Sequence, residues 1–257
     1  MDGPIAGAVV FACLFSSALA GVVMHARLPG HSIPLGARIV MHRSIAIIAA
    51  MAGVLLVLLT LSQKAAFDRA NRDVKEFSAQ LIQLDHTLRR AGPSANRARD
   101  LLFRYAVDAM HQVWPDGTLV MPRRDETGAP PLGRLEDAIA AIAQDTAVRR
   151  EVVSDAQRIL RDASRTNWAL DASQTTSTSP YLVAVVLFWL MLTFASFGLS
   201  APLGHTGANS LVITTLFLSA IALGGAMFLL EEYNDPFHGI ITVSHEPLQA
   251  ALFAISE

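Results

Sequence analysis

The chain has 257 residues, of which 52% are hydrophobic and only 16% charged, with a mean hydropathy of +0.40. A net charge of -2 and a pI near 6.4 exclude the basic footprint of a nucleic-acid binder. The single cysteine, Cys13, excludes an internal disulfide and a Cys-x-x-Cys metal site, and it reads as a small buried hydrophobe.

The apolar content is concentrated in charge-free blocks. The first, Ile5 to Met24, is about twenty residues long, enough for a helix to cross a bilayer. Only Asp2 precedes it, so it lacks the basic start of a signal peptide and reads as a retained span. Ser16 with Ala20, and Ser17 with Gly21, put small residues one turn apart, which permits close helix packing. A loop from His25 to Arg43 follows. Its three arginines suit a headgroup-level loop, and its three histidines, His25, His31 and His42, are spaced too widely for a compact metal site.

The second block, Ser44 to Gln63, is again about twenty residues without a charge. No breaker follows it. Phe67, Ala70, Val74, Phe77, Leu81, Leu84 and Leu88 continue in steps of three and four, with Arg69, Arg72, Asp73, Lys75 and Glu76 on the other faces. This is a heptad seam on one long helix, half in lipid and half in water, able either to join several chains or to fold back on the same chain. Thr60, Ser62, Gln63 and Lys64 stand where that helix leaves the lipid. They read either as ordinary interfacial residues, with Lys64 snorkelling, or as a polar ring at a pore mouth.

Gly92-Pro93 ends the long helix, and Ser94 is a cap candidate for a helix from Ala95 to Val113 that buries Leu101, Leu102, Tyr105, Ala106 and Met110. Residues 114–133, rich in proline and glycine, read as an exposed loop. A second helical region runs from near Arg134 to near Trp168, and Ser173 to Ser179 is a polar linker. Residues 64–179 thus form a helical aqueous insert large enough for its own core. It contains no GxxxxGK[ST], HExxH or GxSxG motif, and Asp85-His86, as neighbours on a helix, point in different directions and form no dyad. The run Arg89, Arg90, Arg97, Arg99 and Arg104 reads as a solvated basic face. An enzyme is therefore not expected.

Pro180 to Leu199 and Ser210 to Leu230 are the third and fourth spans, joined by an uncharged Pro/Gly link read as a tight hairpin turn. Thr193, Ser196 and Gly198 are positions that face neighbouring helices or a wet lumen. The tail, 231–257, opens with acidic groups at the aqueous boundary. It continues as a short extended piece after Gly239, then a short amphipathic helix from Pro247 lying against the membrane or the insert. The expected architecture is an all-α membrane protein: two spans and a basic loop in 1–63, the insert, two spans in 180–230, and the tail. Four spans put the insert and both termini on one side, which the arginine and lysine distribution leaves unassigned.

Several motifs in this order resemble the bestrophin-like domain family, bacterial four-span membrane proteins of unknown function. They are the loop Leu28-Pro29-Gly30-His31, the exit Lys64-Ala-Ala-Phe67-Asp68, the stretch from Phe194 through Phe197, Gly198 and Ser200 to Pro202, and the stretch from Glu231 through Pro236 and Phe237 to Gly239. The resemblance implies a distant likeness to bestrophins, which are pentameric chloride channels. By it, the chain is a homo-oligomer, a pentamer, in the bacterial inner membrane; the insert and termini are cytoplasmic; the second span, Ser44 to Lys64, lines a pore for chloride or another anion; and no cofactor is involved. Bestrophin pores narrow at successive aromatics, whereas this span has none. The alternative is a membrane-anchored scaffold or sensor whose insert binds a protein partner, favoured by the absence of charge within the spans.

Overall fold

The structure is a computed structural model that describes residues 3–27, 35–114, 131–142, 147–175, 180–201 and 206–256. The described residues are almost entirely helical and contain no strand. The helices are α1 (Gly3–Arg27), α2 (Leu35–Arg89), α3 (Asn96–Val113), α4 (Pro131–Ala140), α5 (Ala147–Thr175), α6 (Pro180–Leu199), α7 (Thr206–Asn234) and α8 (Glu246–Ser256), with a one-turn 3-10 helix at Gly92–Ala95. Four of them, α1, α2, α6 and α7, are long and apolar enough to cross a membrane. The chain divides into two compact units, one of Met1–Ala65 and Ser177–Asp235, the other of Ala66–Thr176 and Pro236–Glu257.

In the first unit α1 packs against both α6 and α7. Lipid tails are as apolar as leucine, so close backbone approach and hydrogen bonds must hold such spans together. Two glycine contacts supply the approach. A Cβ on Gly21 would overlap the Ala195 carbonyl oxygen of α6, and a Cβ on Gly198 would overlap the Ala18 carbonyl oxygen of α1, so the two helices touch backbone to backbone. At the other end of α1, a Cβ on Gly7 would lie 3.0 Å from the Gly224 carbonyl oxygen of α7, and one on Gly224 equally close to that of Gly7. Ser17 adds a 2.7 Å hydrogen bond to the Met191 carbonyl. Phe11, Phe15 and Phe217 fill the space between, the Phe217 ring meeting the other two edge-on at 5.5 and 5.4 Å.

The second unit has one hydrophobic core. The predicted seam is its spine: Ala70, Val74, Phe77, Leu81, Leu84 and Leu88 are all fully or almost fully buried, against residues from α3, α4, α5 and α8. The seam is therefore satisfied within the chain. Each leucine or phenylalanine so buried contributes about 1.5–3 kcal/mol.

Several boundaries differ from expectation. Residues 35–43, read as loop, are helical, and α2 begins at Leu35, directly after Pro34, a residue that a helix tolerates at its start. Gly92 ends α2 in the left-handed region, at φ 71. Ser94 caps no helix; it lies inside the 3-10 turn and its hydroxyl donates to the Ala91 carbonyl at 3.0 Å. The helical region read from near Arg134 comprises two helices, α4 and α5. The stretch after Gly239 is a series of bends rather than an extended piece, and α8 rests on the core of the second unit. There Phe237 is buried edge-on to Trp114 at 5.5 Å, and His245 packs on the same indole at 6.4 Å. Residues 115–130, 176–179 and 202–205, where a loop, a linker and a hairpin turn are expected, lie outside the described residues.

Candidate functional site

The site that the sequence singles out is α2 and its surroundings at the lipid exit. Within the span, Ala52, Leu59 and Gln63 are buried on one side of α2. Ile47, Met51, Val54, Leu58 and Leu61, on other faces, are each more than half exposed. The most apolar stretch of α2 has 11% of its residues buried, against 28%, 28% and 22% for the other three spans. α2 is thus the span that the chain's own packing covers least, and what it leaves bare is aliphatic.

The polar residues at the lipid exit of α2 are placed separately in the single chain. Thr60 is exposed and its hydroxyl donates to the Leu56 carbonyl at 2.8 Å, while Ser62 is exposed beside it. The Lys64 ammonium lies over the Tyr233 ring, 5.8 Å from its centroid, so it is held against the end of α7. On α6, Thr193 is buried and its hydroxyl donates to the Trp189 carbonyl at 2.9 Å. Ser196 is half-buried and bonded to the Leu192 carbonyl at 2.7 Å. Both hydroxyls are satisfied within their own helix, as serine and threonine commonly are in spans.

Two acidic residues, read from the sequence as a helix neighbour of His86 and as a group at the aqueous boundary, are in fact buried. Glu232 is 4% exposed, and its carboxylate lies against Gly3, the first residue of α1. Free backbone N–H groups and the positive end of the helix dipole favour a negative charge there. The signal was the four-residue step Gly224, Phe228, Glu232 on α7, which faces Phe11, Gly7 and Gly3 on α1. Asp85, in the second unit, is the other. Its side chain is 3% exposed and accepts from Arg89 Nε at 2.6 Å and Arg99 Nε at 2.7 Å. The same guanidiniums donate to the Ala254 and Ile255 carbonyls at 3.2 and 3.4 Å, at the C-terminal end of α8. Two members of the basic run are therefore a brace for α8. Spacing alone does not show this, because Asp85 and Arg99 sit on different helices.

Nearby, burial of the Tyr105 phenol pushes its pKa up to about 12, opposed by Ser164 and Asn167 beside the hydroxyl. The described residues contain no cluster of three or more His, Cys, Asp or Glu suited to a metal ion.

The profile of the Bestrophin-like domain matches residues 9–248. The chain belongs to that family. Among curated proteins none matches it in sequence. The structure is similar to those of a bacterial bestrophin homologue from Klebsiella pneumoniae. Against one single-substitution form of it the TM-score is 0.71 at 12% identity, covering 96% of this chain and 99% of the other. Against a second substituted form the TM-score is 0.69 at 14% identity, covering 96% and 95%. A third structure of the homologue gives 0.67 at 14% identity, covering 96% and 94%. The four-span, all-α reading of the sequence agrees with this bestrophin fold.

The motifs that carried the resemblance have physical roles in the fold. Gly198 is the α1–α6 contact point, and Phe197 beside it is exposed with its ring 6.3 Å from Phe194. Phe67 packs half-buried on the core of the second unit, and Asp68 is half-buried next to it. Glu231 is half-buried at the end of α7. Pro236 is buried and its carbonyl accepts from the Val243 N–H at 2.7 Å, closing the turn that seats Phe237. Gly239 sits at φ 120, which a side chain rarely adopts. Pro29 and Pro202 lie outside the described residues.

Proposed function

We propose that this bestrophin-like protein is an oligomeric channel for chloride or a similar small anion. In this reading it is a homo-pentamer of the bacterial inner membrane, with the insert and both termini on the cytoplasmic side and α2 lining the conduit. It is not an enzyme. The observation that carries the reading is the bare aliphatic face of α2, the least covered of the four spans. Met51, Val54, Leu58 and Leu61 would give a lining without charge or aromatic groups, and such a constriction gates by dewetting. Family membership and the bestrophin fold support an assembly in which neighbouring copies meet around that helix.

The test is anion flux from liposomes containing the purified full chain, with Leu58→Thr beside it. Leu58 is more than half exposed in the single chain, so the substitution leaves the fold intact. Wetting a hydrophobic constriction raises conductance, whereas a threonine facing lipid leaves flux unchanged. Lys64→Glu is the less direct probe, because it also removes the contact with Tyr233. A well-folded oligomer that passes no anion refutes the channel and leaves the membrane-anchored scaffold, with the insert as its binding part.

A further inference from the structure

The two short connections of the membrane unit are free of acid. Residues 25–43 and 200–209 hold Arg27, Arg38, Arg43 and four histidines, and every one of the 22 acidic residues of the chain lies elsewhere. Three arginines against no carboxylate give these segments a net charge of +3, and protonation of a histidine can only add to it. Packing puts both segments on one side of the unit. A Cβ on Gly21 of α1 would lie 2.9 Å from the Leu199 nitrogen, so α1 and α6 end together. Gly7 and Gly3 meet Gly224 and Glu232 late in α7, so α7 begins on that same side. The link 28–34 is too short to recross the hydrocarbon at no more than about 3.5 Å per residue, so α2 begins there as well. Depth follows from length. The charge-free block of α1 stops at Met24, and Arg27 stands about 4.5 Å further along a helix that rises about 1.5 Å per residue. Arg43 directly precedes the charge-free block of α2. Both arginines therefore fall in the headgroup layer, about 5–7 Å thick, and both are exposed.

We infer that this acid-free side of the protein, through Arg27 and Arg43, binds anionic phospholipid headgroups of the leaflet it faces. The inference goes beyond the channel reading and does not depend on it, since an anchored scaffold presents the same side. The argument is one of charge complementarity. Elsewhere cations are matched within the chain: Arg89 and Arg99 share Asp85, and Arg158 and Arg165 each sit beside an aspartate. Lys64, at the opposite edge of the charge-free block of α2, lies over the Tyr233 ring, whose segment also carries Glu231, Glu232 and Asp235. On the acid-free side no such match is possible, because the sequence places no carboxylate there. A guanidinium held at phosphate level without a carboxylate of its own chain takes a lipid phosphate, which it grips through two parallel N–H···O bonds. A zwitterionic headgroup offers that phosphate beside its own ammonium. An anionic one offers it with uncompensated charge, and each basic side chain near such a surface favours it by about fivefold.

The experiment measures which lipid the full chain selects. The protein is reconstituted in phosphatidylcholine bilayers with a trace of spin-labelled phosphatidylglycerol or spin-labelled phosphatidylcholine. The motionally restricted fraction of each label gives its relative association with the protein. Wild type should prefer phosphatidylglycerol, and raising sodium chloride from about 0.02 to about 0.5 M should remove most of that preference. Arg27→Gln/Arg43→Gln should lower it by about twofold or more at low salt, the effect at each arginine being diluted by the other lipids around the spans. Arg27→Lys/Arg43→Lys keeps the charge and should retain most of it. Because both side chains are exposed, thermal unfolding and oligomer size should match wild type, and both are measured alongside. Lys64→Gln removes the cation at the other edge of the α2 block and should leave the preference where it was. A wild type that shows no preference for phosphatidylglycerol, or one that salt does not weaken, overturns the inference. So does a glutamine pair that selects this lipid as strongly as wild type. An equal fall in Lys64→Gln also overturns it, since any juxtamembrane cation would then serve, and a lysine pair that falls as far as the glutamine pair removes its electrostatic basis.

Discussion

The contact between Gly21 and Gly198 makes a quantitative prediction about the membrane unit. A Cβ on Gly198 would overlap the Ala18 carbonyl oxygen and lie 2.9 Å from the Val22 nitrogen and 3.0 Å from the Ala18 carbonyl carbon. Carbon contacts settle at about 3.5–4.0 Å, so Gly198→Ala has to open α1 and α6 by roughly an ångström, and a gap of that size forfeits about a quarter to a half of the dispersion attraction across it. Overpacking of this kind costs about 1–3 kcal/mol, and it is not relieved by rotating a side chain because every atom met is backbone. Gly21→Ala should cost a similar amount, since its Cβ would overlap the Ala195 carbonyl oxygen and lie 2.9 Å from the Leu199 nitrogen. The two contacts are reciprocal. Once one substitution has separated the helices, the second meets a gap already opened, so the double variant should cost clearly less than the sum. Thermal unfolding in detergent, followed through a full double-mutant cycle, measures this, with each kcal/mol worth about 2–4 °C in a chain of this size. A Gly198→Ala protein that melts with wild type, or costs that add in full, would refute the backbone-to-backbone contact.

Two further predictions concern the second unit. Asp85→Asn removes the charge that orients Arg89 and Arg99, and with it the brace on the end of α8. Both arginines reach solvent and are not stranded, so the loss should be about 2–4 kcal/mol, visible as a lower melting temperature and as faster chymotryptic cleavage at the exposed Phe253; unchanged cleavage would mean that α8 is held by its apolar face alone. Tyr105 titrates near 12 in the folded chain against about 10 when unfolded, so the folded state holds its proton more tightly. Stability should therefore be intact below pH 10 and fall as pH rises from 10 toward 12. Tyr105→Phe should show a shallower fall in urea midpoint over that window, and an identical slope in both proteins would sink the assignment.

The sequence by itself determined the membrane class, the four spans, the continuous second helix, and the residues of its buried seam. These follow from length without charge and from a period near 3.5, both local along the chain. Ser17, Gly21 and Gly198 were recognisable as small positions suited to close packing, though which helix each would meet was not. The partner of the seam was likewise open, since Phe77, Leu81 and Leu84 satisfy a heptad equally well against another copy or against their own insert. Only the tertiary structure decided that they pack inward. It also decided where the charges go. Asp85 and Arg99 are brought together by the turn at Gly92, and Glu232 is brought to Gly3 by the packing of α7 on α1. Apolar periodicity is written along one helix, but the field around a charge depends on which other helix arrives beside it, and that is a property of the assembled fold.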